Sequence, residues 1–153
     1  MKKLVLISAV FVSIFTTGCP SKGGDTPTVV TPPPTVTAEP DVTFKVEVDN
    51  KEVDYTTYTA ALGAAQLINV NITSVFPKDG VTIDVTVKKE LDNSSVFSDP
   101  NKAGTAAATN PVTISNLLPG VPCVATVVVT SKTQDPVSKT FKSLTKTFKI
   151  ARK

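Results

Sequence analysis

The sequence predicts an all-β fold, an antiparallel sandwich of about seven short strands, and three observations carry the prediction. Apolar and polar residues alternate along short runs, most clearly where Val81, Ile83, Val85 and Val87 interleave with Thr82, Asp84, Thr86 and Lys88. A pleated strand sends successive side chains to opposite faces, so such a run buries one face and wets the other. Turn-forming residues separate the runs, as at Pro77, Asp79 and Gly80 and again at Pro119 and Gly120. From residue 42 onward Val, Ile and Thr dominate, the β-branched types that suit pleated surfaces, and no helical periodicity competes with the alternation.

Element by element, Val42, Phe44, Val46 and Val48 form the first strand, with Lys45 and Glu47 on its opposite face. Asp49, Asn50 and Lys51 turn the chain, and residues 52–58 return as a short strand. Ile68, Val70 and Ile72 make the next strand, and residues 81–88 the clearest one. Residues 92–111 lose the pattern and read as a loop, apart from an edge strand at Val96 and Phe97. Alternation resumes at Val112 and Ile114, and again through Cys123, Ala125, Val127 and Val129. The last strand holds Val137 and Phe141, then Leu144, Phe148 and Ile150; the change of parity after Phe141 predicts a bulge near Ser143.

The chain opens differently. Lys2 and Lys3 precede an apolar run over residues 4–15, and Thr16, Thr17 and Gly18 lead into Cys19. Twelve apolar residues are too few to span a bilayer as a helix but fit the hydrophobic region of a secretory signal. On these residues the segment resembles the bacterial lipoprotein signal family, although Thr16 stands where that family usually has Leu. The resemblance implies removal of residues 1–18 and acylation of Cys19, and so a membrane partner through a lipid anchor. The Asp that in this family retains a protein at the inner membrane is replaced by Pro20, which points to the outer membrane.

Residues 20–40 contain six of the twelve prolines and no apolar periodicity. Proline fixes φ and favours extended polyproline II, so residues 20–40 could reach about 65 Å if fully extended, and residues 19–41 are expected to be a linker ahead of a folded domain over 42–153.

Within that domain, residues 112–130 (VTISNLLPGVPCVATVVVT) resemble the corner between the fifth and sixth strands of fibronectin type III and related immunoglobulin-like domains. Leu117, Pro119 and Gly120 match the pattern; Cys123 stands in place of the corner tyrosine, and no Trp is present. The resemblance implies an immunoglobulin-like sandwich and assigns no binding residues. The layout as a whole is similar in style to small surface lipoproteins of Bacteroidetes-type bacteria.

Catalysis is not expected. The chain has no His, which removes the commonest general base and most transition-metal ligand sets. Cys123 lies on the inward phase of its strand and reads as a packing residue. Asp79 fits a turn and Asp84 a solvent face, so neither suggests a carboxylate pair. Asp92, Asn93, Asp99 and Asn101 carry hard oxygen ligands in the least patterned stretch, yet they are also ordinary turn formers. The expectation is therefore no cofactor, with these four residues marking a candidate binding loop.

Charge is unevenly placed. Without Lys2 and Lys3 the sixteen Lys and Arg fall to fourteen, against thirteen Asp and Glu, too small an excess to imply a nucleic-acid partner. Residues 39–54 hold six acids and residues 132–153 seven bases. Pairing between a first and a last strand lying side by side would explain both runs; the rival reading is a basic strip at Lys142, Lys146 and Lys149 that meets an anionic glycan or lipid. The functional expectation is a non-catalytic binding or assembly module of the cell envelope, partnered by another envelope protein or a glycan. The alternatives are a structural spacer that joins a complex by edge-strand addition and a carbohydrate-binding module. The shortage of aromatic rings for sugar stacking favours protein assembly.

Overall fold

The computed structural model describes residues 33–107 and 109–153. The expected signal segment, Cys19 and the linker as far as residue 32 lie outside the described residues. The described residues form nine strands rather than about seven: β1 (Phe44–Val48), β2 (Lys51–Glu52), β3 (Tyr58–Ala61), β4 (Gln66–Ile72), β5 (Val81–Lys89), β6 (Ser95–Gly104), β7 (Pro111–Ile114), β8 (Pro122–Gln134) and β9 (Phe141–Arg152). They build two sheets, one ordered β2-β1-β4-β7 and the other β3-β9-β8-β5-β6.

The alternation seen in the sequence is the alternation of burial. Val81, Ile83, Val85 and Val87 of β5 are fully buried, as are Cys123, Ala125, Val127 and Val129 of β8, with Thr82, Asp84 and Thr86, and Val124, Thr126 and Val128, half-buried between them on the outer face. Phe44 and Val46 of β1, Ile68 and Val70 of β4, and Val112 and Ile114 of β7 complete one hydrophobic core from the other sheet. Each buried Val, Ile or Phe among them contributes about 1.5–3 kcal/mol relative to exposure. The core begins at Val42, and Thr35–Lys153 forms a compact unit in its own right.

Turn chemistry sets the hairpins. Asp49 and Asn50 both have positive φ (51° and 62°) and Val48 pairs with Lys51, a two-residue loop of the kind whose twist matches its strands. Gly80, at φ 89°, closes the turn before β5 by donating its N–H to the Pro77 carbonyl at 3.0 Å.

Several expectations are corrected. Strand β2 stops after two residues; the chain then crosses to the other sheet, where β3 pairs in parallel with β9, Tyr58 opposite Lys149. That sheet is therefore mixed rather than antiparallel. Half of the 92–111 stretch is the ten-residue strand β6, on the edge of the sheet beside β5. Its pattern is hidden because an edge strand needs only weak burial, and because the pairing shifts between Ile83 and Val85, where Asn101 takes φ 58°. Strands β1 and β9 do not lie side by side; they belong to different sheets. The irregularity near Ser143 is real, but the extra residues are on β8. Between the pairs Thr130–Ser143 and Gln134–Phe141, residues 131–133 face Lys142 alone. As a result Phe141 points to solvent and Lys142 turns toward the buried Asp135.

The two ends of the domain are distinct. The chain enters β1 at the end where Phe44 pairs with Ile72, and the turns over residues 73–80 and 135–140 lie there too. At the far end lie the β5–β6 turn, the loop before β8, the segment after β3 and the close of β9. They are tied by hydrogen bonds from Leu117 N to Ala64 O, Glu90 N to Pro122 O, Gly120 N to Arg152 O and Lys153 N to Ala61 O.

Candidate functional site

The far end carries the most developed group of polar side chains. Strand β3 places Tyr58 beside Lys149 because the two are register partners, and the β5–β6 turn brings Glu90 between them. Glu90 accepts from Lys149 Nζ at 2.7 Å through one carboxylate oxygen and from the Tyr58 hydroxyl through the other. Lys149 Nζ also lies 5.1 Å from the centre of the Tyr58 ring, within cation–π range. These contacts shift all three groups. The Lys149 hydrogen bond, then that of Tyr58, holds the Glu90 carboxyl below its ordinary range. The bond to Glu90 raises both the Tyr58 phenol and the Lys149 ammonium.

Beside this group a cleft of about 490 Å³ is lined by residues 89–92 and 120–122. Leu91 lines the cleft, and with it two further leucines of the same end are left out of the core: Leu91 is 95% exposed, Leu62 85% and Leu118 51%. A leucine at a turn tip gains nothing from water; the opposite end also exposes Val75, Val137 and Phe141, so what sets this end apart is the polar group and the cleft beside its leucines.

The sequence-selected residues are distributed otherwise. Asp92 and Asn93 belong to the β5–β6 turn, where Asp92 accepts from the N–H and hydroxyl of Ser94 at 2.9 and 2.7 Å. Those bonds hold its carboxyl low. Asp99 and Asn101 sit further along β6, and the N–H of Asn101 is bonded to Asp84. The four residues thus do not come together, and among the described residues no group of three or more His, Cys, Asp and Glu side chains converges as a metal site.

Lys142, Lys146 and Lys149 are likewise spread over two faces of β9, each beside a carboxylate. Lys142 reaches Asp41 at 3.1 Å and Asp135 at 3.6 Å, while Lys146 reaches Glu52 at 3.9 Å. The Lys146 stem lies along the sandwich rim, with Nζ 4.8 Å from the Tyr55 ring centre and 5.5 Å from that of Phe44. The acidic and basic runs therefore meet around the rim, not across paired strands.

Cys123 is buried and bonded only weakly, its Sγ 3.6 Å from the Val121 carbonyl, and burial pushes its thiol up. A group so placed is a poor nucleophile. The free edge of β6 carries Pro100, which cannot donate to a ladder, and the kink at Asn101; both obstruct strand addition along its second half.

Sequence reasoning did not single out Glu90, Leu62, Leu91 or Leu118. One signal was present: Leu91 stands between Glu90 and Asp92 in a turn, where an apolar residue has no local role. No protein-family model, curated protein or solved structure matches the chain.

Proposed function

We propose that this chain is an exported lipoprotein, acylated on Cys19, that serves as a non-catalytic binding or assembly module of the outer membrane. Its domain is of the immunoglobulin-like kind. The order β1-β4-β7 opposite β9-β8-β5-β6 supports that reading, with β3 crossing between sheets to pair in parallel with the last strand. The observation that carries the functional reading is polarity of layout. The linker joins the domain at one end, and the Tyr58–Glu90–Lys149 group, the cleft and the exposed leucines lie at the other. A tethered module works through the surface farthest from its tether, on loops held by a rigid sandwich.

The test is the intact mass of the protein purified from its native membrane, beside a Cys19→Ala variant. The expected result is a chain beginning at Cys19 with added acyl mass, lost in the variant. An unmodified chain recovered from the medium would overturn the anchored-module reading.

A further inference from the structure

We infer that the far end of the domain docks onto an anionic phospholipid bilayer, with Leu62, Leu91 and Leu118 entering the acyl boundary. The inference deepens the binding-module reading and rests on it only for the choice of working end. Three observations combine. The leucines belong to three different loops, following β3, following β5 and preceding β8, and all are more than half exposed. Because β9 and β8 lie between β3 and β5, Leu62 and Leu91 are separated by three strand spacings, about 14 Å. Such spacing makes a broad, shallow contact instead of a single anchor for a peptide.

The second observation is charge. Lys88, Lys89, Lys149, Arg152 and Lys153 surround this end, against Glu90 and Asp92. At this end the β1–β2 hairpin of the other sheet carries Glu47, Asp49 and Glu52 against Lys51, so the excess of base belongs to the five-stranded sheet alone. The five-stranded sheet, which leads into Leu62 and Leu91, thus carries a net three positive charges at this end. Apolar tips within a basic collar complement a surface with anionic headgroups above hydrocarbon, and each base near such a surface strengthens binding up to about fivefold.

The third is the internal pairing of Glu90. With one oxygen on Lys149 and the other on Tyr58, its carboxylate is already neutralised and does not oppose an anionic surface. Tyr58, half exposed at this end, has the amphipathic ring favoured at a headgroup interface.

The test is sedimentation of residues 20–153, which contain the whole compact unit, with phosphatidylcholine vesicles with and without phosphatidylglycerol at physiological ionic strength. We expect binding that is at least about tenfold tighter when phosphatidylglycerol is present. The joint Leu62→Ser, Leu91→Ser and Leu118→Ser variant should lose about thirtyfold or more of it, because a buried leucine contributes at least tenfold. These side chains lie outside the core, so the variant should keep its β-sheet circular dichroism, measured in parallel. A Lys88→Gln, Lys89→Gln variant should lose the phosphatidylglycerol preference while retaining the residual binding. Absence of vesicle binding, or binding that the leucine variant retains, overturns the inference. Capture of an envelope protein through the same leucines without vesicle binding also overturns it, but leaves the module reading intact. Failure of Cys19 acylation would remove that reading while leaving this result untouched.

Discussion

Lys142 Nζ lies 3.1 Å from Asp41 Oδ1, so that a residue of the last strand grips the segment leading into the first. The same ammonium is 3.6 Å from the buried Asp135, whose carboxylate also accepts from Val137 N and Ser138 N at 2.7 and 2.9 Å. Asp41 is therefore fastened through Lys142 to the turn over 135–140. Replacing Lys142 by Gln should raise amide exchange across residues 39–41 up to about fivefold, while the core strands exchange as before. Hydrogen exchange followed by mass spectrometry reads both regions at once. Equal protection in the two proteins would show that the ion pair does not hold the junction.

Stability should form a plateau in pH with a fall on each side. Asp135, through the Ser138 N–H first and Val137 and Lys142 in addition, and Glu90, through Lys149 first, have carboxyls lowered by folding. Their contribution is present above the ordinary carboxylate range and is lost as pH falls through the lowered values, below about pH 4. Lys142 and Lys149 are raised, by Asp41 and Glu90 respectively. Their contribution is present below the ordinary lysine range and disappears as pH rises through the raised values, above about pH 10. Urea midpoints across this range test the shape, and Asp135→Asn should make the acid limb shallower.

Asn110 is a buried polar residue whose amide is fully used. Its Nδ2 donates to the Val70 and Thr105 carbonyls at 3.0 and 3.3 Å, and its Oδ1 accepts from Thr105 N at 2.7 Å. Asn110→Leu keeps the branched outline of the side chain and strands these partners, so unfolding free energy should drop by about 1–3 kcal/mol. Denaturation in urea measures it; an unchanged midpoint would mean that water replaces the amide.

Gly104 ends β6 against the core. A methyl group there would overlap Val81 Cγ2 and crowd Ile83 Cδ1, at 3.1 Å. Gly104→Ala should cost about 1–3 kcal/mol through displacement of the edge strand. Its exchange protection should fall first along β6 and leave β8 unaffected.

Legibility in the sequence followed burial. Strands β5 and β8 lie between neighbours and bury one whole face, so Val81 to Val87 and Cys123 to Val129 are written in plain alternation. Strand β6 has a partner on one side only. Its Ser95, Asp99, Pro100 and Asn101 are turn formers in any local reading, and only cross-strand pairing reveals them as sheet. Strand β3 is four residues of Tyr, Thr and Ala whose parallel partner lies some ninety positions away, beyond the reach of local pattern. The three lysines of β9 shared a run but not a face, because Lys142 and Lys146 occupy inward-phase positions at the sandwich rim, where long stems reach water. The far-end group was hidden for a similar reason. Tyr58, Glu90 and Lys149 come from three strands' ends, and nothing local joins them.

The opposed placement of the linker junction and the far-end loops has a mechanical consequence. Strands β1 and β9 both run from the first end to the second, in different sheets. A pull applied between residue 40 and the far-end loops acts along the strand axes, so that the ladders joining β1 to β4 and β9 to β8 are loaded in shear. Many hydrogen bonds then share the force at once, whereas a pull across the strands would open them one after another. Under such tension the lifetime of the fold is set by its unfolding rate. Oriented in this way, the domain is a stiff link in series with its tether, able to carry load between whatever holds its two ends.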